Sequence, residues 1–300
     1  MNKETPIRIP LTPDSILHWQ KNRPKGIDHL SKRSTLRGLI AIFANWFSIA
    51  GFIFADQMLG IIWLTPLFVW WIGGRHYAML EGLMHNAAHH TLFAKRALHY
   101  QLSWLYSWPF GYDVAVYRKD HLRHHRYFLT KEDGECHSLA DHGLGIGEKK
   151  NLFWKFWVRP FLGYATFFHA GGDLIRSPKI GLFWMGMLAV SISTGTFWWF
   201  ALYHLIPRFY VFAILFYWSD IQDHYRTHSG TRVQTGFWQN LLTHNEGFHS
   251  FHHIYPQVPW FNVPKGHALV DHDFDESTSL FDSYRQMRDW KPPGNFPQCF

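Results

Sequence analysis

The residues with the most chemical potential in this chain are its histidines. There are 22 of them among 300 residues, as many as the aspartates and glutamates together. In the run His85-Asn86-Ala87-Ala88-His89-His90, His85 and His89 are four apart. A helix places such a pair on one face, so both imidazoles can aim at one metal ion, while His90 turns about 100° away. In His121-Leu122-Arg123-His124-His125 the i,i+3 and i,i+4 spacings predict that three imidazoles converge. His249-Ser250-Phe251-His252-His253 repeats the same spacing. His244 and Asn245 lie just upstream of it, with Asn245 four residues before His249. Further upstream stand Asp223 and His224, and His228 follows His224 at i+4. At least one of that last pair is expected to join the others.

The tally is about nine imidazoles. One zinc ion takes four ligands and one haem takes one or two histidines, so neither absorbs nine. Two metal ions do. Imidazole suits iron, zinc, copper and nickel, and an all-histidine site is compatible with redox-active iron. Two cysteines rule out a disulfide framework and a CxxC zinc or iron–sulfur site. No GxGxxG run supports a nucleotide site, and nothing resembles a nucleic-acid-binding motif.

The elements that must position these clusters are apolar and long. The segment 36–55 is long enough to cross a hydrocarbon core of about 30 Å. Asp56-Gln57 reads as a polar turn, and 59–80 reads as the return. A second apolar block, 180–219, just accommodates two more crossings, although Pro207 and Arg208 disturb the last one. That disturbance implies either a short fourth helix with both residues at the far interface or an arginine that snorkels. The segment 151–170 mixes aromatics with Lys155, Arg159 and Pro160 and reads as an interfacial helix.

A mean hydropathy of −0.18 is low for a protein made only of spans, which implies a polar cap of similar mass. The predicted fold is therefore all-α: a four-transmembrane-helix bundle with a cytoplasmic helical cap that carries the histidine clusters. Eight Lys and Arg residues fall within the first 37 positions. This bias places both termini and the histidine segments on the cytoplasmic side of a multi-pass chain. Residues 1–34 are polar and lack the short apolar core of a signal peptide. The expected layout is an N-terminal arm over 1–35, a membrane domain over 36–270 and a C-terminal tail over 271–300. Two metals beside a bilayer surface suggest chemistry on a lipid-like substrate.

Taken together, the clusters at 85–90, 121–125 and 249–253 resemble the three histidine boxes of the integral-membrane fatty acid desaturase superfamily, which includes lipid and alkane hydroxylases and carotenoid ketolases. RYFLTKEDGE, after the second box, is similar to that family's Thr…Asp-Pro-Glu stretch, with Gly134 in place of the proline. HNEGFHSFHHIYPQVPWFNVPKGH at 244–267 and the Asp223-His224 pair also fit its pattern. The resemblance implies a non-haem di-iron centre ligated by His85, His89, His121, His124, His125, His224, His249, His252 and His253. It implies that Asn245 supports the site directly or through water, and that His90 stands beside it. His228, His244 and Asp223 are further candidates as ligands or as partners of ligands. Glu81, Asp120, Asp223 and Glu246 could fix imidazole tautomers by accepting their N–H groups.

The implied activity uses O2 and two electrons to desaturate the acyl chain of a lipid or fatty acid. Hydroxylation or ketolation on the same scaffold is the alternative, and a histidine-rich metal carrier or transporter is the third reading. No haem or ferredoxin motif is fused to the chain. The electrons must then come from a separate ferredoxin, flavoprotein or cytochrome b5. Acyl chain length, head group and oxidised carbon leave no legible mark in the sequence.

Overall fold

The computed structural model describes residues 11–144, 151–169, 171–270 and 274–291. The described chain is mostly helical, with one parallel strand pair, Arg232–Gln234 beside Asp275–Ser277. That small sheet is the departure from the all-α expectation.

Four long helical stretches carry the frame. Thr35–Leu59 opens on Ser34, whose hydroxyl accepts from Arg37 N, and closes on Gly60 in the left-handed region at φ 61°. Asp56 and Gln57 therefore lie inside the helix and form no turn. Gly60 makes the turn, because a residue without Cβ reaches that conformation with little strain. Asp56 is buried, and its carboxylate accepts hydrogen bonds from Thr65 Oγ1 at 2.9 Å and Tyr203 Oη at 2.7 Å, which ties three helices together. The second stretch, 65–88, starts later than the sequence implies and continues through the first histidine box. Its middle, Ala78–Met84, widens into π-helix just before His85. Such widening shifts the register of the following face and is common at functional sites.

The second apolar block resolves into Pro178–Ser193 and one continuous helix, Phe197–His224, of 28 residues. Thr35–Leu59 and Phe197–His224 are the two described helices long and apolar enough to cross a membrane. Pro178–Ser193 is apolar but, at 16 residues, spans about 24 Å. The two long helices are only 28% and 39% buried over their most apolar windows, unlike core helices of a soluble domain. Phe47, Phe54, Met58, Leu182 and Trp198 stand on the exposed faces. The first long helix packs on the second, the second on the fourth, and Pro178–Ser193 on the start of the fourth.

Arg208 corrects both sequence expectations for it. It neither ends the helix nor snorkels. It is fully buried, donates from Nε to the Phe110 carbonyl and lies 4.6 Å over the Phe212 ring. Pro207, which has no N–H to give, opens the π-helical stretch Pro207–Val211, and the helix widens there without breaking. The 151–170 region is likewise not one helix. It is a π turn, a 3-10 turn and a short helix ending at His169.

The polar part is built from Val114–Tyr127, Gly134–Asp141, Phe237–Thr243, His249–Ile254 and the strand pair. Residues 274–291, read from sequence as tail, are integral to it. Asp275–Ser277 supplies the second strand, and Phe274, Met287 and Trp290 are buried. Two glycines set how closely the parts approach. A Cβ on Gly73 would sit 2.4 Å from Val211 Cβ, and one on Gly82 would sit 2.6 Å from the Thr243 carbonyl.

Gly73→Ala is expected to destabilise the protein by about 1–3 kcal/mol through overpacking. Gly51→Ala, where a Cβ meets nothing within 4 Å, is expected to be neutral or slightly stabilising. Thermal unfolding in detergent checks both, and equal melting temperatures would contradict the close helix contact.

Candidate metal centre

Four pieces of chain deliver the imidazoles. The 65–88 helix brings His85 and His89. Val114–Tyr127, capped by Asp113, which accepts from Ala115 N, brings His121, His124 and His125. Phe197–His224 ends on His224, and His249–Ile254 brings His249, His252 and His253.

These nine side chains form two groups. His85, His89, His121, His125 and His252 make one, and His124, His224, His249 and His253 make the other. In each group the donor atoms lie within 4.8 Å of one another, and none of the nine residues is exposed. The second and third boxes therefore do not converge on single ions as their spacing predicts. Each box splits. The i,i+4 pairs His121/His125 and His249/His253 stay together, and the i+3 residues His124 and His252 turn to the other group. On a helix i+4 lies about 40° to one side of i, and i+3 about 60° to the other. A helix lying between two ions can thus feed both.

In the first group Nε2 atoms approach at 2.8 Å for His85–His252 and His89–His121, and at 3.0 Å for His121–His125. His252 lies 3.2 Å from both His89 and His125. In the second group the separations are 3.2 Å for His124–His253 and 3.0 Å for both His253–His249 and His249–His224. Nitrogens about 2.1 Å from a shared ion are roughly 3.0 Å apart at right angles and roughly 3.4 Å apart at tetrahedral angles. The spacing fits ions with five or six ligands better than four-coordinate zinc.

Tautomers point the same way. His124 Nδ1 lies 2.8 Å from Asp133 Oδ1, His224 Nδ1 lies 3.3 Å from the Gly230 carbonyl, and His85 donates to the Glu81 carbonyl. A neutral ring that donates from Nδ1 presents a lone pair at Nε2. Burial opposes the charging of His85 and His249. It pushes His85 down to about 3, helped by the neighbouring His249, and pushes His249 down to about 4 against the pull of Asp223. Lone pairs crowded this closely repel unless a cation sits among them, so the residues fit two bound metal ions.

The remaining sequence candidates are placed as follows. His90 Nε2 meets Tyr100 Oη at 2.7 Å and joins neither group. His228 Nδ1 lies 2.9 Å from Asp275 Oδ1, where it holds the strand pair. His244 Nε2 is 2.8 Å from Asn45 Nδ2, and Asn245 donates to the Trp260 carbonyl at 3.1 Å. Asp223 accepts from Ser219 and Gln234 and lies close to Glu246 and His249, which puts it at the edge of the second group. Glu246 comes within 3.6 Å of His249 Nδ1. Asp120 is half exposed and pairs with Arg176 rather than with an imidazole. Glu81 is buried but contributes its backbone carbonyl, to His85.

Two acids escaped the sequence reading, Asp133 and Glu135. Asp133 is almost fully buried and caps Gly134–Asp141 while it holds His124. Its signal was present, since aspartate before a helix start is a favoured cap. Its histidine partner nine residues upstream was not visible.

Beside the second group lies an apolar cavity of about 300 Å³ walled by Trp70, Trp71, Leu215, Trp218, Leu242 and Leu280. Tyr77 and Ser219 also line it. Tyr77 Oη is 2.7 Å from Ser219 Oγ and 3.3 Å from Glu246 Oε2. Two side chains therefore connect the cavity to His249.

Comparison with known proteins agrees with this geometry. The family model described as fatty acid desaturase matches residues 61–285. The chain is 25% identical over 243 residues to dihydrorhizobitoxine desaturase of Bradyrhizobium elkanii, covering 69% of this chain and 68% of that protein. It is also 25% identical over 239 residues to the human sphingolipid delta(4)-desaturase/C4-monooxygenase, covering 72% of this chain and 69% of the human one. A sphingolipid delta(4)-desaturase-like protein of Oryza sativa subsp. japonica matches at 25% over 214 residues, 68% of this chain and 63% of its own. The chain belongs to the fatty acid desaturase family and is an oxidoreductase.

Asp133→Asn is expected to weaken metal binding by about 10–100-fold, because it removes the charge that orients His124. His228→Ala is expected to leave metal binding unchanged. Metal titration of the purified variants checks the pair, and a larger loss in His228→Ala would contradict the division described above.

Proposed function

We propose, starting from membership of the fatty acid desaturase family, that this chain is a membrane-embedded, O2-dependent di-iron desaturase acting on the acyl chain of a lipid or fatty acid. The observation that carries the reading is the pairing of two imidazole clusters with an adjoining apolar cavity. Two bound iron ions would supply what side chains cannot, the use of O2 and two electrons to remove hydrogen from an unactivated C–H bond.

The chain's own part follows from its residues. His85, His89, His121, His125 and His252 hold one ion, and His124, His224, His249 and His253 hold the other. Neutral imidazoles bring no charge of their own and leave the ions electrophilic. The tryptophans and leucines of the cavity take an acyl segment and keep water from it. Tyr77 and Ser219 give that cavity a polar end next to Glu246.

The membrane domain over 36–270 crosses the bilayer four times, with Thr35–Leu59, the 65–88 helix, Pro178–Ser193 and Phe197–His224, so that the histidine segments and both termini lie on the cytoplasmic side. The outward apolar faces of these helices and the basic N-terminal arm support that topology. Electrons arrive from a separate ferredoxin, flavoprotein or cytochrome b5. Hydroxylation is the second reading. It is favoured by the human relative, whose printed name couples desaturase and monooxygenase activities.

The test is expression in a lipid-producing host with mass spectrometry of the extracted lipids, beside a His252→Ala control. Desaturation is expected to appear as a loss of about two mass units in one lipid class, absent from the control. A gain of about sixteen would put hydroxylation first, and identical lipids in both cultures supplied with an electron donor would refute the reading. Leu242→Trp, which fills the cavity, is expected to lower kcat/KM about 10–200-fold with bound iron unchanged. Unaltered turnover would remove the cavity from the substrate path.

A further inference from the structure

The four imidazoles of the second group form an open chain of contacts. His124 meets His253 at 3.2 Å, His253 meets His249 at 3.0 Å, and His249 meets His224 at 3.0 Å. The gap between His124 and His224 is filled by one atom. Glu135 Oε2 lies 3.2 Å from His124 Nε2 and 3.0 Å from His224 Nε2, which matches the spacing of the nitrogens themselves. We propose that Glu135 is a ligand of the second metal ion, so that one ion is held by five imidazoles and the other by four imidazoles and a carboxylate. This rests on the di-iron reading above.

The proton positions support it. Asp133 Oδ1 and the Gly230 carbonyl face the Nδ1 atoms of His124 and His224, which places the ring protons there. With both Nε2 lone pairs directed at a metal ion, as the di-iron reading has them, neither ring has an Nε2–H to donate to Glu135. A carboxylate oxygen facing two lone pairs at about 3 Å is repulsive unless a cation lies between them. The backbone is arranged for the contact as well. Asp133 Oδ1 accepts from Glu135 N at 3.0 Å and Asp133 Oδ2 accepts from Leu129 N at 3.2 Å. The carboxylate that orients His124 therefore also fixes where the Glu135 side chain starts. Asn245, the polar residue that the family resemblance places at the site, is bonded to the Trp260 carbonyl and does not fill this position.

The consequence is an asymmetry. Among the described residues no ion pair reaches any member of the five-imidazole group, whereas the second group meets Asp133, Glu135 and Glu246. The two ligand sets differ by one full charge. The five-imidazole ion is the more electrophilic of the two. The Glu135 side chain is 32% exposed and lines a cleft with Tyr117, Glu132 and His137.

The experiment loads the full-length wild type, Glu135→Ala, Glu135→Gln and Glu132→Ala with 57Fe in detergent. It measures iron per chain, iron affinity and the Mössbauer spectrum of the reduced proteins. The wild type is expected to hold about two iron ions in two distinct environments of equal weight. Glu135→Ala is expected to change or lose one environment and keep the other, with at least about tenfold weaker binding at the affected site. Glu135→Gln, which keeps the shape but not the charge, should perturb the same environment. Glu132→Ala, on the same cleft, should match the wild type. A wild type with two ions and a folded Glu135→Gln with the wild-type spectrum and affinity would overturn the Glu135 assignment alone. A wild type that cannot hold two ions would overturn the di-iron reading, and the assignment with it.

Discussion

The constraint on which this structure depends is the close approach of nine imidazoles gathered in two groups, none of them exposed. Nitrogens 2.8–3.2 Å apart, with acceptors facing Nδ1 of His124 and His224 on the far side of the ring, are a poor arrangement for a metal-free protein. Holding them there takes a scaffold that cannot relax. The close contact at Gly73 and the fully buried Arg208 supply stiffness between the long helices, and the buried Asp56 joins three helices at the end away from His85. Bound metal ions would turn a repulsive arrangement into a favourable one, which would couple binding free energy to scaffold rigidity.

The same scaffold presents two kinds of surface. Apolar side chains cover the outside of the long helices, and the histidine groups sit where those helices end in polar chain. The cavity under Phe237–Thr243 lies between these regimes, with apolar walls and a polar end made by Tyr77 and Ser219. On the proposed function, an oxidising centre at this boundary would let a water-insoluble chain approach from one side and polar components from the other. Phe237, Trp238 and Leu241 face outward on that short helix, as expected for an element lying at a membrane interface.

Charge is distributed unequally around the two groups. Carboxylates gather at the second, and the first is bounded by imidazoles and aromatic rings such as Tyr117. Two ions bound by near-identical nitrogen donors would therefore differ in redox character without different cofactors, because low dielectric surroundings magnify a single charge.

The sequence by itself determined the pieces. Periodicity marked His121/His125 and His249/His253 as shared faces, apolar runs marked the long helices, and the histidine boxes pointed to the family that the comparisons bear out. Tertiary structure alone decided how the pieces combine. It sent His124 and His252 to the opposite group, bonded His228 to Asp275 and Asn245 to Trp260, put Glu135 between His124 and His224, and packed 274–291 into the body of the protein. It also buried Arg208 where the sequence implied an exposed charge. The reason is physical. Helical spacing fixes which side chains share a face, at about 100° per residue, and says nothing about what that face meets. What it meets is set by residues a hundred or more positions away, through contacts such as those of Gly73 with Val211 and Gly82 with Thr243.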